Sequence, residues 1–600
     1  MKRRIATTLI LFTLALPGTR LCADETASDV LAVAPADAWG AICVRNMGEM
    51  DKKLNTLVQQ LNVPFPFQNP LTMGLSMLGF ISGVDGTGGV GVVILPAPSF
   101  AAMKDHTALL VPTTNLSDLL SLMEPTEVEP GVSKVLLQNE EMFVAHKATH
   151  AVFSPSLDAL KAVLVSKESL RSKLNAHQLK HFQKDDLMVW ANAEAITASE
   201  AFNAMAPMLQ LATMDAEALK EFHSAGLSLR ITPAGIGIGL YVDSIPGTDT
   251  HKVMCSDKGT DDSLLLGLPK DRYVLGYGAI SAKEASELGA EMLVKAFDNP
   301  QFQMLGLDPE KLERVKSMVA ARVKLLRTLS VGISALPEGP DGMISLTKVV
   351  GMDGNPAEGL AMAAELVAIL KGGLIPQEEA ASILSALEYK AAAERIDGIS
   401  VDHLILDLAK AAGEDPEAPE QAEKWIGLVN KIVGKEGILF RLGVVDADHA
   451  IVTFGGGAER FKTVAMLVKE KKTPLAEDGG IQRCKTHLPP TCSAEAYLAV
   501  DQLLSVIAAI AKVIDEPIPP LSLGELNAPV AFTTTPVEKG GSQNELFIPM
   551  ELVIAAKDLA MASMGGMGGP GGPPPQAGPI APKKPDEPAE EKPAGEQGGE

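Results

Sequence analysis

Internal repetition constrains this chain more than any other feature. A short strand, a helix and a pair of strands recur four times, so the fold must be assembled from copies of one unit that share a core. Residues 186–198 read DLMVWANAEAITA and residues 271–282 read DRYVLGYGAISA. In each, a strand pattern runs into a hydroxyl residue, Thr197 or Ser281, expected to cap the helix that follows. Strand pairs come later, at 226–242 and 330–350, around Pro-Ala-Gly and Pro-Glu-Gly-Pro-Asp-Gly turns. Near the N-terminus the strand is Asp37 to Val44, and its helix carries an apolar stripe at Met47, Met50, Leu54, Leu57, Val58 and Leu61. Its strand pair is Gly89 to Leu95 and Thr107 to Val111. Near the C-terminus the strand is Glu495 to Val500, the helix Asp501 to Ile514, and the pair Val530 to Thr534 and Leu546 to Ile554.

A second unit sits between copies one and two, and again between copies three and four. Residues 142–165 and 437–468 both read strand, turn, strand, helix. They share His150-Ala151-Val152 with His449-Ala450-Ile451, and Leu160-Lys161-Ala162-Val163 with Phe461-Lys462-Thr463-Val464. The expected organisation is two homologous halves, 24–255 and 256–563. The first holds modules at about 31–125 and 186–245 around a hairpin–helix insert at 130–168. The second holds modules at about 265–370 and 493–556 around an insert at 395–470. The fold class is α+β: antiparallel sheets of repeated strand–helix–β-hairpin modules, with helices packed on one face. Residues 564–600 are dominated by Gly, Pro and Glu, lack apolar periodicity, and are expected to be disordered.

The first 23 residues read as a cleaved signal peptide. Lys2, Arg3 and Arg4 precede an apolar run from Ile5 to Leu16, too short to span a bilayer, and Leu21-Cys22-Ala23 offers a cleavage site. The residue before Cys22 is not small, which argues against acylation there. The expected location is periplasmic or extracellular, with no transmembrane segment in the mature chain.

Composition excludes several classes. The net charge of −23 becomes about −27 once Lys2, Arg3, Arg4 and Arg20 leave with the signal, so nucleic-acid partners are not expected. Only 4% of residues are aromatic, which argues against sugar-binding platforms. Cys43, Cys255, Cys484 and Cys492 remain after cleavage, and export favours a Cys484–Cys492 disulfide across a short loop. Cys43, in an apolar run, suits a buried free thiol.

The signal peptide, Pro35-Ala36-Asp37, the strand beginning Asp185-Asp186-Leu187-Met188-Val189 and the Pro/Gly-rich end together carry a family resemblance. On them the chain resembles secreted bacterial proteins of unknown function, common in planctomycetes and also found in cyanobacteria. That resemblance implies export and repeated α+β modules, and supplies no activity and no site residues.

Motifs that carry chemistry are sparse. Gly86-Thr87-Gly88-Gly89-Val90-Gly91 matches a dinucleotide fingerprint but leads into a strand, so it reads as a turn. Gly455-Gly456-Gly457 lies between a strand and a helix, where an anion would fit, but the matching Ser154-Pro155-Ser156 is an ordinary cap. Ser345 and Lys348 match S-x-x-K, yet in a strand they face opposite ways. His177 and His181 share a helix face and are the weak metal candidates, with Asp185 and Asp186 following, though Gln178 stands where a zincin needs Glu. Cys484, His487 and Cys492 are a further candidate set, and His146 and His150 flank a turn.

No catalytic residue and no cofactor is assigned from the sequence. The expectation is a non-catalytic binding or scaffold protein of the cell envelope, whose partner is an unidentified envelope protein or ligand. A hydrolase, metal-dependent or not, with His177, His181, Asp185 and Asp186 as first suspects is one alternative. A carrier of an apolar ligand, suggested by Met73, Met77 and 24 methionines overall, is another.

Overall fold

The structure is a computed structural model that describes residues 29–63, 69–204, 216–297, 307–337, 339–374, 383–411, 419–514 and 523–565. The expected signal peptide lies outside the described residues, and so does all but the first two residues of the tail. The chain is α+β, with one large antiparallel sheet and many helices.

The first module comprises β1 (Gly40–Val44), α1 (Met47–Gln60), β2 (Val90–Ile94) and β3 (Thr107–Pro112). Asn46 caps α1 by accepting from Glu49 N, and Met47, Met50, Leu54 and Leu57 are its buried stripe. The insert that follows has four strands: β4 (Thr126–Glu129), β5 (Val132–Leu137), β6 (Glu140–Lys147) and β7 (His150–Ser154). Helices α2 (Leu157–Val165) and α3 (Ala176–Lys184) come next. Then come β8 (Leu187–Ala191), α4 (Ala193–Thr197), β9 (Phe222–Thr232) and β10 (Gly235–Ser244).

The rest of the chain runs in the same manner. It opens with β11 (Tyr273–Ile280), α5 (Lys283–Phe297), α6 (Pro309–Leu325), β12 (Leu326–Ala335), β13 (Ile344–Met352) and α7 (Pro356–Ile369). Next are β14 (Leu387–Ile396), β15 (Ile399–Leu406), β16 (Ile438–Val444), β17 (His449–Phe454), α8 (Gly457–Lys469) and α9 (Gly479–Lys485). It closes with β18 (Ala494–Leu498), α10 (Val500–Val513), β19 (Val530–Val537), β20 (Gly541–Pro549) and α11 (Met550–Gly565).

All twenty strands join one sheet through antiparallel pairs. From one edge to the centre the order is β4, β5, β6, β7, β3, β2, β1, β8, β9, β10. From the other edge it is β14, β15, β16, β17, β13, β12, β11, β18, β19, β20. The two runs meet where β10 pairs with β20, Gly235 opposite Pro549 and Tyr241 opposite Gln543. Each strand number in the second run is that of the first plus ten.

Helices cover both faces of this sheet, where one covered face was expected. On the first face, Leu160 and Val163 of α2 and Phe182 of α3 pack with Ala41, Cys43, Val93 and Trp190. On the second, Met50 and Leu54 of α1 pack with Ile42, Val90, Val189 and Leu229. The cause is visible in β1, whose residues are apolar on both sides of the pleat. On the same second face, α10 sets Leu503 and Val506 against Ile333 and Ile344.

Several boundaries differ from expectation. Hairpins β4–β5 and β14–β15 begin at Thr126 and Leu387, ahead of the inserts expected at 130 and 395. Strand β20 ends at Pro549, and residues expected to continue it to Ile554 start α11. Thr197 is the last residue of α4 and donates to Ala193 O at 2.8 Å, while Asn192 caps the helix by accepting from Ala195 N. Ser281 donates to Ala282 O instead of capping α5. Among the described residues, no helix is long and apolar enough to cross a membrane.

Candidate functional site

One group of buried polar residues gathers on the first face where β10 meets β20. Helix α3 starts from a capping box between Asn175 and Gln178, which fixes its direction over β9 and β10. His177 and His181, one turn apart, lie on the same side, their ring centroids 4.6 Å apart. Both rings meet Tyr241 of β10, at 5.8 and 4.5 Å. Asp185 closes α3, and its Oδ2 lies 3.6 Å from His181 Nδ1 and 3.3 Å from the Tyr241 hydroxyl that donates to it. The same hydroxyl is 2.9 Å from Ser228 Oγ.

Arg230 of β9 bridges the seam. Its Nη2 donates to Glu545 of β20 at 3.2 Å and to His487 O at 3.0 Å, and its Nη1 is 4.0 Å from Asp185. Gln543 donates to Glu545 from the same strand. Gly239 makes the cluster possible: a Cβ there would stand 2.3 Å from the Tyr241 hydroxyl and 2.7 Å from Ser228 Oγ.

Electrostatics follow burial. Burial and the neighbouring His181 hold His177 down at about 4, so its ring is neutral. Burial pushes Asp185 up, but His181, Ser228 and the Arg230 charge outweigh it and hold the carboxyl below its usual range. Glu545 is pushed up by burial, against the pull of Arg230. Tyr241 is pushed up by burial and by the Asp185 charge.

Of the first suspects, His177, His181 and Asp185 come together, and Asp186 does not. At the bend just before β8, Asp186 turns to the second face, where it accepts from Lys53 Nζ of α1 at 2.5 Å and from Ile231 N at 2.9 Å. Tyr241, Ser228, Arg230 and Glu545 were not foreseen. The alternation Gly235, Gly237, Gly239 along β10 was the signal, since a strand with glycine on one face leaves room there for longer neighbours.

The cluster is closed. Ser228, Tyr241, Asp185 and Glu545 are each 5% exposed or less. Ser228 pairs with the Tyr241 phenol, and no imidazole bonds it among the described residues. Among the described residues, no three His, Cys, Asp or Glu side chains converge as a metal site.

The remaining candidates are separate. Cys484 and Cys492 stand as free buried thiols, not joined as a disulfide. Cys484, on α9, donates to Pro529 O at 3.3 Å, and Cys492 is held by a backbone bridge to Thr260. Burial pushes these thiols up to about 12 and about 11. The His487 ring stacks on Phe547 at 4.5 Å. His150 is buried, its ring bonded to Gly89 O. Gly455, Gly456 and Gly457 all take positive φ, and Gly456 N donates to Asp341 O. Ser345 is buried on the first face, while Lys348 is exposed on the second.

A half-open pocket of about 280 Å³ lies elsewhere, where β11, β12 and β18 end together. Tyr277, Ala279, Leu329 and Ala494 form its apolar lining, with Arg327 at the rim.

No protein-family model and no curated protein matches the chain. Solved structures similar to part of it include "Structure of crystal form I of TP0453", 13% identical over 37% of this chain and 82% of that one, with a TM-score of 0.21. Another is "Structure of crystal form IV of TP0453", 10% identical over 36% and 82%, with a TM-score of 0.23.

Proposed function

We propose that this is an exported, non-catalytic binding or scaffold protein of the cell envelope, built by duplication of a ten-strand unit. The observation that carries the reading is the closure of the His177–His181–Asp185–Tyr241 cluster. The Tyr241 hydroxyl is shared between Asp185 and Ser228, and a substrate atom would have to displace it, while His177 Nε2 and His181 Nδ1 are buried with no hydrogen-bond partner among the described residues. Such a cluster serves to fix the pairing of β10 with β20. Repetition of strand order from either edge supports duplication, and kinship with secreted planctomycete-type proteins belongs to the same reading. So does removal of residues 1–23 on export.

The test is a panel of ester, phosphoester and peptide substrates offered to the mature protein and to His181→Ala. No turnover by either is expected. Hydrolysis by the wild type that His181→Ala abolishes would overturn the reading in favour of an enzyme.

A second reading, carriage of an apolar ligand, is favoured by the pocket beside Tyr277 and by the apolar second face around it.

A further inference from the structure

A row of directly opposed residues crosses the second face of the sheet: Leu229, Ile238, Leu546, Phe532, Ala496, Tyr277 and Val331. All are apolar and only half-buried. The residue opposite Val331 on β13 is Lys348. The row therefore changes at one step from aliphatic and aromatic carbon to an ammonium group.

Lys348 is not alone. Partial burial lowers the Lys348 pKa, the charge of Arg322 on α6 lowers it further, and burial lowers Arg322 itself. The Arg322 guanidinium is wedged against α7 at Gly359, where a Cβ would fall 1.2 Å from Nη1. That Nη1 is buried and has no hydrogen-bond partner among the described residues. Among the described residues, no carboxylate forms an ion pair with either cation, in a chain whose net charge is −23. Arg327, at the pocket rim, differs: Asp353 already neutralises it at 2.6 Å.

Two like charges held together without a counter-ion raise the energy of the fold unless an anion joins them. The apolar row begins beside them. Tyr277, two strands from Lys348 and so about 10 Å away, also lines the 280 Å³ pocket. We propose that Arg322 and Lys348 hold the carboxylate of a single-chain fatty acid whose hydrocarbon lies over Val331 and Tyr277 and ends in the pocket beside Ala279, Leu329 and Ala494. The volume suits one chain, below the range of larger ligands. This deepens the binding reading above and rests on it.

The test is calorimetric titration of the full mature protein with sodium dodecanoate, dodecan-1-ol and inorganic phosphate. Dodecanoate should bind one to one. Lys348→Gln should weaken it tenfold or more without lowering the thermal unfolding midpoint of the free protein, and Arg322→Gln should weaken it likewise. Shortening the chain by one methylene should weaken binding about fourfold. Three results would each overturn the proposal: no saturable binding of dodecanoate, equal binding by wild type and Lys348→Gln, or dodecanol or phosphate binding as tightly as dodecanoate. None of these bears on turnover, so failure here is distinct from the discovery of a hydrolase.

Discussion

Lys53 Nζ lies 2.5 Å from Asp186 Oδ1, and the two side chains are 7% and 2% exposed. The pair ties α1, in the first module, to the start of β8 in the second. Asp186 Oδ2 also accepts from Ile231 N on β9, so one carboxylate joins three elements.

Removing one partner should be costly. Lys53→Met leaves a buried carboxylate without its cation and should destabilise by about 3–5 kcal/mol. The double variant Lys53→Met with Asp186→Asn should recover part of that, because the amide carries no charge. Urea unfolding midpoints of the four proteins in the cycle measure the coupling.

Stability should fall on mild acidification. His177 sits at about 4 in the fold and near 6.5 when unfolded, so the unfolded chain binds more protons between those values. Stability from the neutral ring is complete above pH 6.5 and lost as pH falls towards 4. Asp185, held low, adds a further loss only below the ordinary carboxylate range. His177→Phe should flatten the change in thermal midpoint between pH 6.5 and 4 and leave the deeper acid limb in place.

Gly239→Ala should destabilise by about 1–3 kcal/mol, since the new methyl meets the Tyr241 hydroxyl and Ser228 Oγ. In a Tyr241→Phe background the same change should cost less, because the closer of the two oxygens is gone. Chemical denaturation of the two pairs compares the costs directly.

Thiol labelling should find one fast cysteine. Cys255 is exposed, whereas Cys43, Cys484 and Cys492 are buried free thiols pushed up by burial. Of these four, a native sample should therefore label only Cys255 with iodoacetamide, and a denatured, unreduced sample all four. A mass two hydrogens light, with labelling at Cys43 and Cys255 but not at Cys484 or Cys492 after denaturation, would show the Cys484–Cys492 bridge instead.

Much of the architecture was legible because burial leaves a period in the sequence. The stripe Met47, Met50, Leu54, Leu57 declared α1, and the alternation in 226–242 declared β9 and β10. Strand β14 was missed because it lies at the sheet edge and is mostly exposed, so Lys390, Glu388 and Glu394 leave no alternation to read. The cluster was half legible. One helical turn from His177 to His181 and the following Asp185 could be read locally, but Arg230 and Glu545 are 315 residues apart and only sheet pairing joins them. Asp186 was grouped with Asp185 because they adjoin in sequence, but the bend before β8 turns it to Lys53 on the second face.

The pairing of β10 with β20 also sets a timetable. Strand β10 is complete once residue 244 has been made, yet its partner is among the last parts of the fold to appear, at Gly541–Pro549. For the whole of that interval a nascent chain presents an open strand edge with Ile236, Ile238 and Leu240 beside it. Contacts of such long sequence separation form slowly and leave the partly made chain prone to aggregate. A holdase that keeps the chain unfolded until β20 has been made closes that interval, so it would matter more to this protein than to one whose central strands are made together.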